Sequence, residues 1–203
     1  MPRIPLAAGA ALVLAALSGQ AQEASPRRAE AARLMGELMA GTNVGGDFTL
    51  TDSRGRPFRL SDQRGRYVLL YFGFTGCPDV CPTDLLAIGD ALRELGPDGA
   101  KVQPVFVTLD PARDTRAVIG AYAANFHPGF VALTGSEAEV RSVARRYKVS
   151  FEKVALPSAG SYTIDHAAFT FLIGRDGKYI GYFPPGTPPE RMAALIRDEI
   201  RKP

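Results

Sequence analysis

Cys77 and Cys81 are the two cysteines of this 203-residue chain, and both stand in one short segment, Gly76-Cys77-Pro78-Asp79-Val80-Cys81-Pro82. The apolar run Tyr67–Phe74 leads directly into them, so all the thiol chemistry of the chain is gathered at the end of one expected buried strand. Two thiolates are soft donors that suit Cu(I), and two thiols alone suit disulfide exchange. A plain structural disulfide is the third reading of such a pair, although it would close a very small loop with little entropic effect. Far downstream, Asp165-His166 stands before a second apolar run, Ala167–Ile173, so one imidazole can be carried across the fold to the cysteines. A lone histidine is also often a hydrogen-bonded structural residue, and both readings of His166 stand. His127, in Asn125-Phe126-His127-Pro128-Gly129, reads as a cap at a helix end and is left out of the candidate site.

The spacing of the cysteines carries a physical expectation. If Cys77 lies in a loop and Cys81 in the first turn of a helix, three intervening residues let both sulfurs face one atom. The unpaired amides and partial positive charge of a helix N-terminus stabilise a thiolate, so both sulfurs are expected to be reactive, with pKa values below the free-thiol value. Pro82 fits the first helical turn, where its missing N–H is not needed.

The elements that must position these groups follow in an alternating order. Phe48–Leu50 and Pro57–Leu60, joined by Asp52-Ser53-Arg54-Gly55, read as a β-hairpin. The strand Tyr67–Phe74 precedes a helix from about Cys81 to Leu95. Val102–Leu109 is a strand, and Thr115–Phe126 a helix for which Asp114 is the expected cap. A short strand near Phe130–Leu133 follows, then a helix over Ser136–Tyr147. Ser136-Glu137-Ala138-Glu139 at its start has the capping-box pattern. Ala168–Ile173 and Tyr179–Tyr182 form a second hairpin around Arg175-Asp176-Gly177-Lys178, and Pro189–Arg201 is the closing helix, with Pro in its first turn. This order predicts an α/β domain of thioredoxin-like fold: a central mixed sheet, helices on both faces and an N-terminal β-hairpin. It places the cysteines where a central strand ends and a helix begins, the usual location of sites in open α/β sheets.

Composition sets the frame. The chain is 46% hydrophobic and 22% charged with a net charge of +3, enough for one good core, and its basic residues are dispersed rather than set in a stripe with aromatics. Nucleic acid is therefore not an expected partner. Arg3, the apolar stretch Ile4–Leu17 and Ser18-Gly19-Gln20-Ala21 read as an export signal with cleavage after Ala21. The stretch is shorter than the ~20 residues that span a bilayer, and a retained anchor is the alternative. The expected organisation is a signal peptide over residues 1–21, a linker over 22–43 and one domain over 44–203. Met35 and Met39 in the linker lie four apart, as a thioether pair or as ordinary apolar packing.

Three separate stretches resemble the Sco (Sco/SenC) family of copper chaperones. They are Tyr71-Phe72-Gly73-Phe74-Thr75-Gly76-Cys77-Pro78-Asp79-Val80-Cys81-Pro82-Thr83, then Val107-Thr108-Leu109-Asp110-Pro111-Ala112-Arg113-Asp114-Thr115, and Asp165-His166-Ala167-Ala168-Phe169. The resemblance runs from about Val44 to the C-terminus. It implies a thioredoxin-like domain that binds one copper ion, Cu(I) or Cu(II), through Cys77, Cys81 and His166. It also implies delivery of that copper to the dinuclear copper A centre of cytochrome c oxidase subunit II; the export signal is what places the expected domain on the periplasmic side, soluble or attached to the inner membrane. An upstream copper donor or thiol reductant would be a further partner. Family members are usually held to the membrane by an N-terminal helix, and the short segment here departs from that pattern.

Other functions compete for the same residues. As a redox couple, Cys77 and Cys81 would make the chain a thiol-disulfide reductase that keeps the recipient's cysteines reduced. The same ligands would serve a copper or redox sensor. A peroxidase is disfavoured because Phe74 stands three residues before Cys77, where a Thr or Ser is needed. Zinc or another soft metal would also fit the ligand set. Asp165 is either an outer-sphere partner of His166 or a turn residue. Asp110, Arg113 and Asp114 read first as a structural turn, with Arg113 paired to one of the aspartates, and second as a recognition surface.

Overall fold

The computed structural model describes residues 43–157 and 160–202; the expected signal segment, Met35 and Met39 lie outside them. Among these residues, nine strands and four α-helices follow one another as β1 Thr49–Asp52, β2 Pro57–Arg59, β3 Tyr67–Gly73, α1 Val80–Glu94, β4 Val102–Thr108, α2 Arg116–Ala124, β5 Val131–Thr134, α3 Glu137–Arg146, β6 Phe151–Ala155, β7 Tyr162–His166, β8 Thr170–Ile173, β9 Tyr179–Phe183 and α4 Pro189–Arg201. Seven strands form one sheet in the order β2-β1-β5-β4-β3-β8-β9, while β6 and β7 make a separate two-stranded sheet.

The sheet is mixed because β3, β4 and β5 run parallel through helical crossovers, whereas β1 and β8 join them antiparallel. Every residue of β3 and of β4 is buried. Since successive side chains point to opposite faces, burial at both parities means the sheet centre is covered on both sides. Phe72, Tyr147 and Phe171 form its aromatic heart, with ring centroids 5.5–6.1 Å apart.

Local chemistry sets the ends of these elements. In the first hairpin the Asp52 carboxylate accepts from the amides of Arg54 and Arg56 at 2.9 and 2.8 Å, and Gly55 takes φ +82°, a left-handed conformation that costs a glycine little. The capping box of α3 is present in both directions: Ser136 Oγ accepts from the Glu139 amide and the Glu139 carboxylate accepts from the Ser136 amide. At α2 the expected cap is displaced by one residue. Thr115 Oγ1 accepts from the Val118 amide at 3.4 Å, while Asp114 is turned inward and buried.

The second difference concerns residues 151–166, where no strand is expected. Phe151↔His166, Lys153↔Ile164 and Ala155↔Tyr162 pair antiparallel, so His166 is the last residue of a strand rather than a loop residue before β8. None of the helices among the described residues is long and apolar enough to cross a membrane.

Candidate metal centre

β3 delivers the cysteines. After Gly73 the chain leaves the sheet, Cys77 N–H donates to the Phe74 carbonyl at 3.3 Å to close a turn, and α1 starts at Val80. The helix N-cap, Asp79, makes no side-chain capping bond. Its role passes to sulfur: the Cys81 amide donates to Cys77 Sγ at 3.4 Å. One of the orphan amides of the first turn thus points at the Cys77 sulfur, the arrangement that stabilises an anion at a helix start.

The two sulfurs differ in setting. Cys77 is half-buried and Cys81 is wholly buried, and neither is in a disulfide. The hydrogen bond from the Cys81 thiol holds Cys77 well below the usual thiol range, against the opposing effect of burial, with His166 and the Asp79 and Cys81 amides adding to the lowering. The same bond pushes Cys81 up, and burial adds to it. The sequence expectation of two activated thiols is therefore corrected: one proton shared between adjacent sulfurs, one of them buried, gives an outer thiolate and an inner thiol.

The third group arrives from 85 residues away. His166 Nε2 lies 3.3 Å from Cys81 Sγ, and its ring stands edge-on to Phe74 with centroids 6.0 Å apart. Cys77 Sγ, Cys81 Sγ and a His166 ring nitrogen all lie within 4.8 Å of one another, the one such cluster of three or more potential metal-ligating residues among the described residues. All three residues singled out by sequence are brought together. Two soft sulfurs and one imidazole at this separation form a donor set for a soft ion such as Cu(I).

The supporting residues were only partly foreseen. Asp165 is exposed, opposite Glu152 in the β6–β7 ladder, and forms no side-chain hydrogen bond among the described residues; His166 Nδ1 is buried with no partner there. The outer-sphere reading of Asp165 fails because alternation along a strand sends neighbouring side chains to opposite faces. His127 lies outside the cluster, its Nδ1 accepting from the Gly129 amide at 3.1 Å, which closes its own turn after the end of α2. The structural reading of the Asp110–Asp114 turn holds, with Arg113 Nε paired to Asp110 Oδ2.

Sequence reasoning missed the buried polar groups behind Cys81. Asp84, one turn into α1, is 5% exposed; its Oδ1 accepts from the Gly186 amide at 2.9 Å and its Oδ2 has no partner among the described residues. Burial pushes its carboxyl up to about 6, against the lowering effects of the Gly186 amide and the Tyr71 hydroxyl. Burial likewise raises Tyr71. An aspartate three residues after a cysteine on a helix was the available signal, since that spacing turns both toward one side.

The comparisons with known proteins agree with this architecture. The SCO1/SenC family profile matches residues 37–201. A SCO2-like protein of Rickettsia conorii is 38% identical over 157 residues, spanning 77% of this chain and 77% of that protein. The mouse mitochondrial SCO2 homologue is 36% identical over 194 residues, 95% of this chain and 75% of its own length. Among solved structures, copper-bound ScoI of Bradyrhizobium japonicum is similar with a TM-score of 0.71 at 39% identity, covering 77% of this chain and 99% of that one. With its thioredoxin-like sheet, its Cys-x-x-x-Cys helix start and its distant histidine, the chain belongs to the SCO1/SenC family.

Proposed function

We propose that this protein is a copper metallochaperone that takes one copper ion on Cys77, Cys81 and His166 and delivers it to the dinuclear copper A centre of cytochrome c oxidase subunit II during oxidase assembly. The observation that carries the reading is the convergence of two sulfurs and one imidazole within 4.8 Å from two distant segments. The relatives named copper-bound supply the metal. Cys77 and His166 are half-buried where Cys81 is wholly buried, and the Cys77 thiol is held well below the usual thiol range at the helix start. Copper would leave by ligand exchange: an incoming recipient thiolate bonds to the ion as the Cys77 or His166 bond breaks, with no change of oxidation state and no release into solvent.

Residues 1–21 serve, in this reading, as a signal peptide or a retained anchor that places the domain on the periplasmic side of the inner membrane. A linker over 22–43 and the copper domain over 44–203 follow.

Anaerobic titration of the reduced protein with Cu(I), in competition with a chelator, tests the assignment. One equivalent is expected to bind tightly to the wild type, with loss in Cys77→Ser and Cys81→Ser and weakening in His166→Ala. Binding without stoichiometry, or indifferent to all three substitutions, overturns it.

A second reading rests on the split between the sulfurs. An outer thiolate backed by a buried thiol is the arrangement that attacks a partner's disulfide and then resolves the mixed disulfide. Two electrons would pass to the recipient's cysteines as the Cys77–Cys81 disulfide forms, and an upstream thiol reductant would restore the dithiol. His166→Ala separates the two: it leaves this reductase activity in place and weakens copper binding.

A further inference from the structure

His166 sits on a two-stranded sheet apart from the main one. Strand β7 pairs with β6 alone, outside the seven-stranded sheet, and Ile164 and Phe151 are the buried apolar residues of that small sheet. Something must hold this hairpin against the cysteine loop if the imidazole is to stay 3.3 Å from Cys81.

Lys153 and Phe151 tie β6 to Glu137 and Arg141 of α3, and the loop after β4 ties β7 to the cysteine segment from its two ends. Asp114, buried, accepts from the Thr75 amide at 3.0 Å, the Thr75 hydroxyl at 2.5 Å and the Thr108 hydroxyl at 2.6 Å, which ties it to the segment leading into Cys77. Asp110, fully buried, accepts from the Tyr162 hydroxyl at 2.8 Å on Oδ1 and from Arg113 Nε on Oδ2. Arg113 completes the second connection. One terminal nitrogen donates to the Tyr162 carbonyl at 2.8 Å, and the guanidinium carbon stands 3.7 Å over the Tyr162 ring. It lies 5.9 Å from the Phe74 ring, which itself meets His166 edge-on.

A guanidinium is suited to this place because its planar fork bonds a carboxylate and a carbonyl at once while its face lies on an aromatic ring. The pair with Asp110 is also more than a surface ion pair. Its carboxylate is inaccessible to water, so loss of the cation leaves a buried charge with the Tyr162 hydroxyl and, among the described residues, no other ion-pair partner.

From this geometry we infer that Arg113 is a positioning residue for His166: with Asp110 and Tyr162 it clamps the β6–β7 hairpin to the cysteine loop and so sets whether the imidazole joins the two sulfurs on the metal. The inference rests on the copper reading above for its consequence, and on the protein contacts alone for the clamp.

The experiment has two arms on the full-length protein. In the metal-free arm, hydrogen exchange is followed at the amides of β6 and β7, with β3 and β4 as internal reference. Arg113→Ala is expected to speed exchange in the hairpin at least tenfold while β3 and β4 keep wild-type protection. Arg113→Lys, which keeps a cation over Tyr162 but not the fork, is expected to restore part of it. In the copper arm, Arg113→Ala is expected to lose the imidazole nitrogen coupling in the electron paramagnetic resonance spectrum of the Cu(II) form. Its Cu(I) affinity should fall by about tenfold, and a combined Arg113→Ala/His166→Ala variant should be no weaker than His166→Ala alone.

Wild-type hairpin exchange together with intact nitrogen coupling in Arg113→Ala overturns the inference. Should Arg113→Ala fail to fold, Asp110→Asn/Arg113→Gln removes the buried charge and the cation together and is expected to loosen the hairpin in the same way; unchanged exchange in that variant overturns the clamp. If the wild type binds no copper through His166, the functional reading falls, and the exchange arm still decides the clamp.

Discussion

The two halves of the candidate site are built in opposite ways. The cysteines emerge from β3, an inner strand of a seven-stranded sheet between β4 and β8, with every residue of the strand buried and a fifteen-residue helix beginning beside them. The histidine ends a five-residue strand with a single neighbour, and its hairpin is held by side-chain contacts: Tyr162 to Asp110 and Arg113 on the loop after β4, Lys153 and Phe151 to Glu137 and Arg141 of α3, and His166 itself edge-on to Phe74. The sulfurs are thus fixed by the core, and the imidazole by a surface clamp. That difference suits a protein that must hold a metal and then surrender it. The ligand on the looser element can leave and return while the other two stay in place.

The largest expected effect divides the halves directly. Cys77→Ser and Cys81→Ser should each abolish tight Cu(I) binding, whereas His166→Ala should retain a two-sulfur site weakened by about 10–100-fold, as read by chelator competition. Equal loss in all three variants would break the comparison, because the imidazole would then be as indispensable as the sulfurs.

The rigidity of the cysteine half has its own test. A Cβ added at Gly73 would stand 2.8 Å from Cys81 Sγ and 2.9 Å from a Tyr71 ring carbon. Both neighbours are wholly buried, so neither can swing into solvent. Gly73→Ala is expected to cost about 1–3 kcal/mol in urea unfolding and to displace Cys81. Unchanged stability would show that the cysteine half has slack that the buried packing does not suggest.

Asp84 sharpens the same point through pH. Its folded carboxyl is raised by burial to about 6, above its unfolded value of 3.8, so the folded state holds the proton more tightly. Stability from this group is therefore fully present below about pH 4, falls as pH rises through about 6, and is level above, with a total loss of about 2–3 kcal/mol. Asp84→Asn retains an acceptor for the Gly186 amide and removes the titration. Its stability should match the wild type near pH 4 and exceed it near pH 7.5, measured by urea unfolding of the metal-free protein. Parallel pH profiles for the two proteins would remove Asp84 as a buried, uncompensated carboxyl.

How much of this could be read from the chain follows the same division. The cysteine half was legible because its signals are local: an unbroken apolar run for a strand covered on both faces, a Pro in a first helical turn, and a four-residue spacing between thiols. The mixed sheet, the capping box at Ser136 and the limits of α4 were legible for the same reason. The β6–β7 hairpin was not. Phe151-Glu152-Lys153-Val154-Ala155 is exposed after its first residue, so it lacks the clean apolar alternation of a strand packed on a core. Its partner, Tyr162–His166, buries Ile164 alone. Strands of that kind are specified by each other and by a few contacts remote in sequence, here Tyr162 to Asp110 across 52 positions. Capping at α2 failed for a related reason. Asp114 and Thr115 are both good caps by residue type, and the choice was made by Thr75 and Thr108, which draw the carboxylate inward.

The smallest expected effect bears most sharply on what sequence adjacency means at this site. Asp165 precedes His166, and a carboxylate beside a ligating imidazole is a common way to orient it. In the strand, however, adjacency puts the two side chains on opposite faces, and the exposed Asp165 carboxylate has no side-chain hydrogen bond among the described residues while the buried His166 Nδ1 lacks a partner there. Asp165→Asn should therefore leave stability within about 0.5 kcal/mol of wild type. Its Cu(I) affinity should be likewise unchanged, in contrast to the loss expected when Arg113, 53 positions away from His166, is removed. A tenfold drop in affinity for Asp165→Asn would mean that the imidazole is oriented by its neighbour in sequence. The two halves of the site would then be less different than the fold makes them, since the histidine would carry its own support instead of borrowing it from the loop after β4.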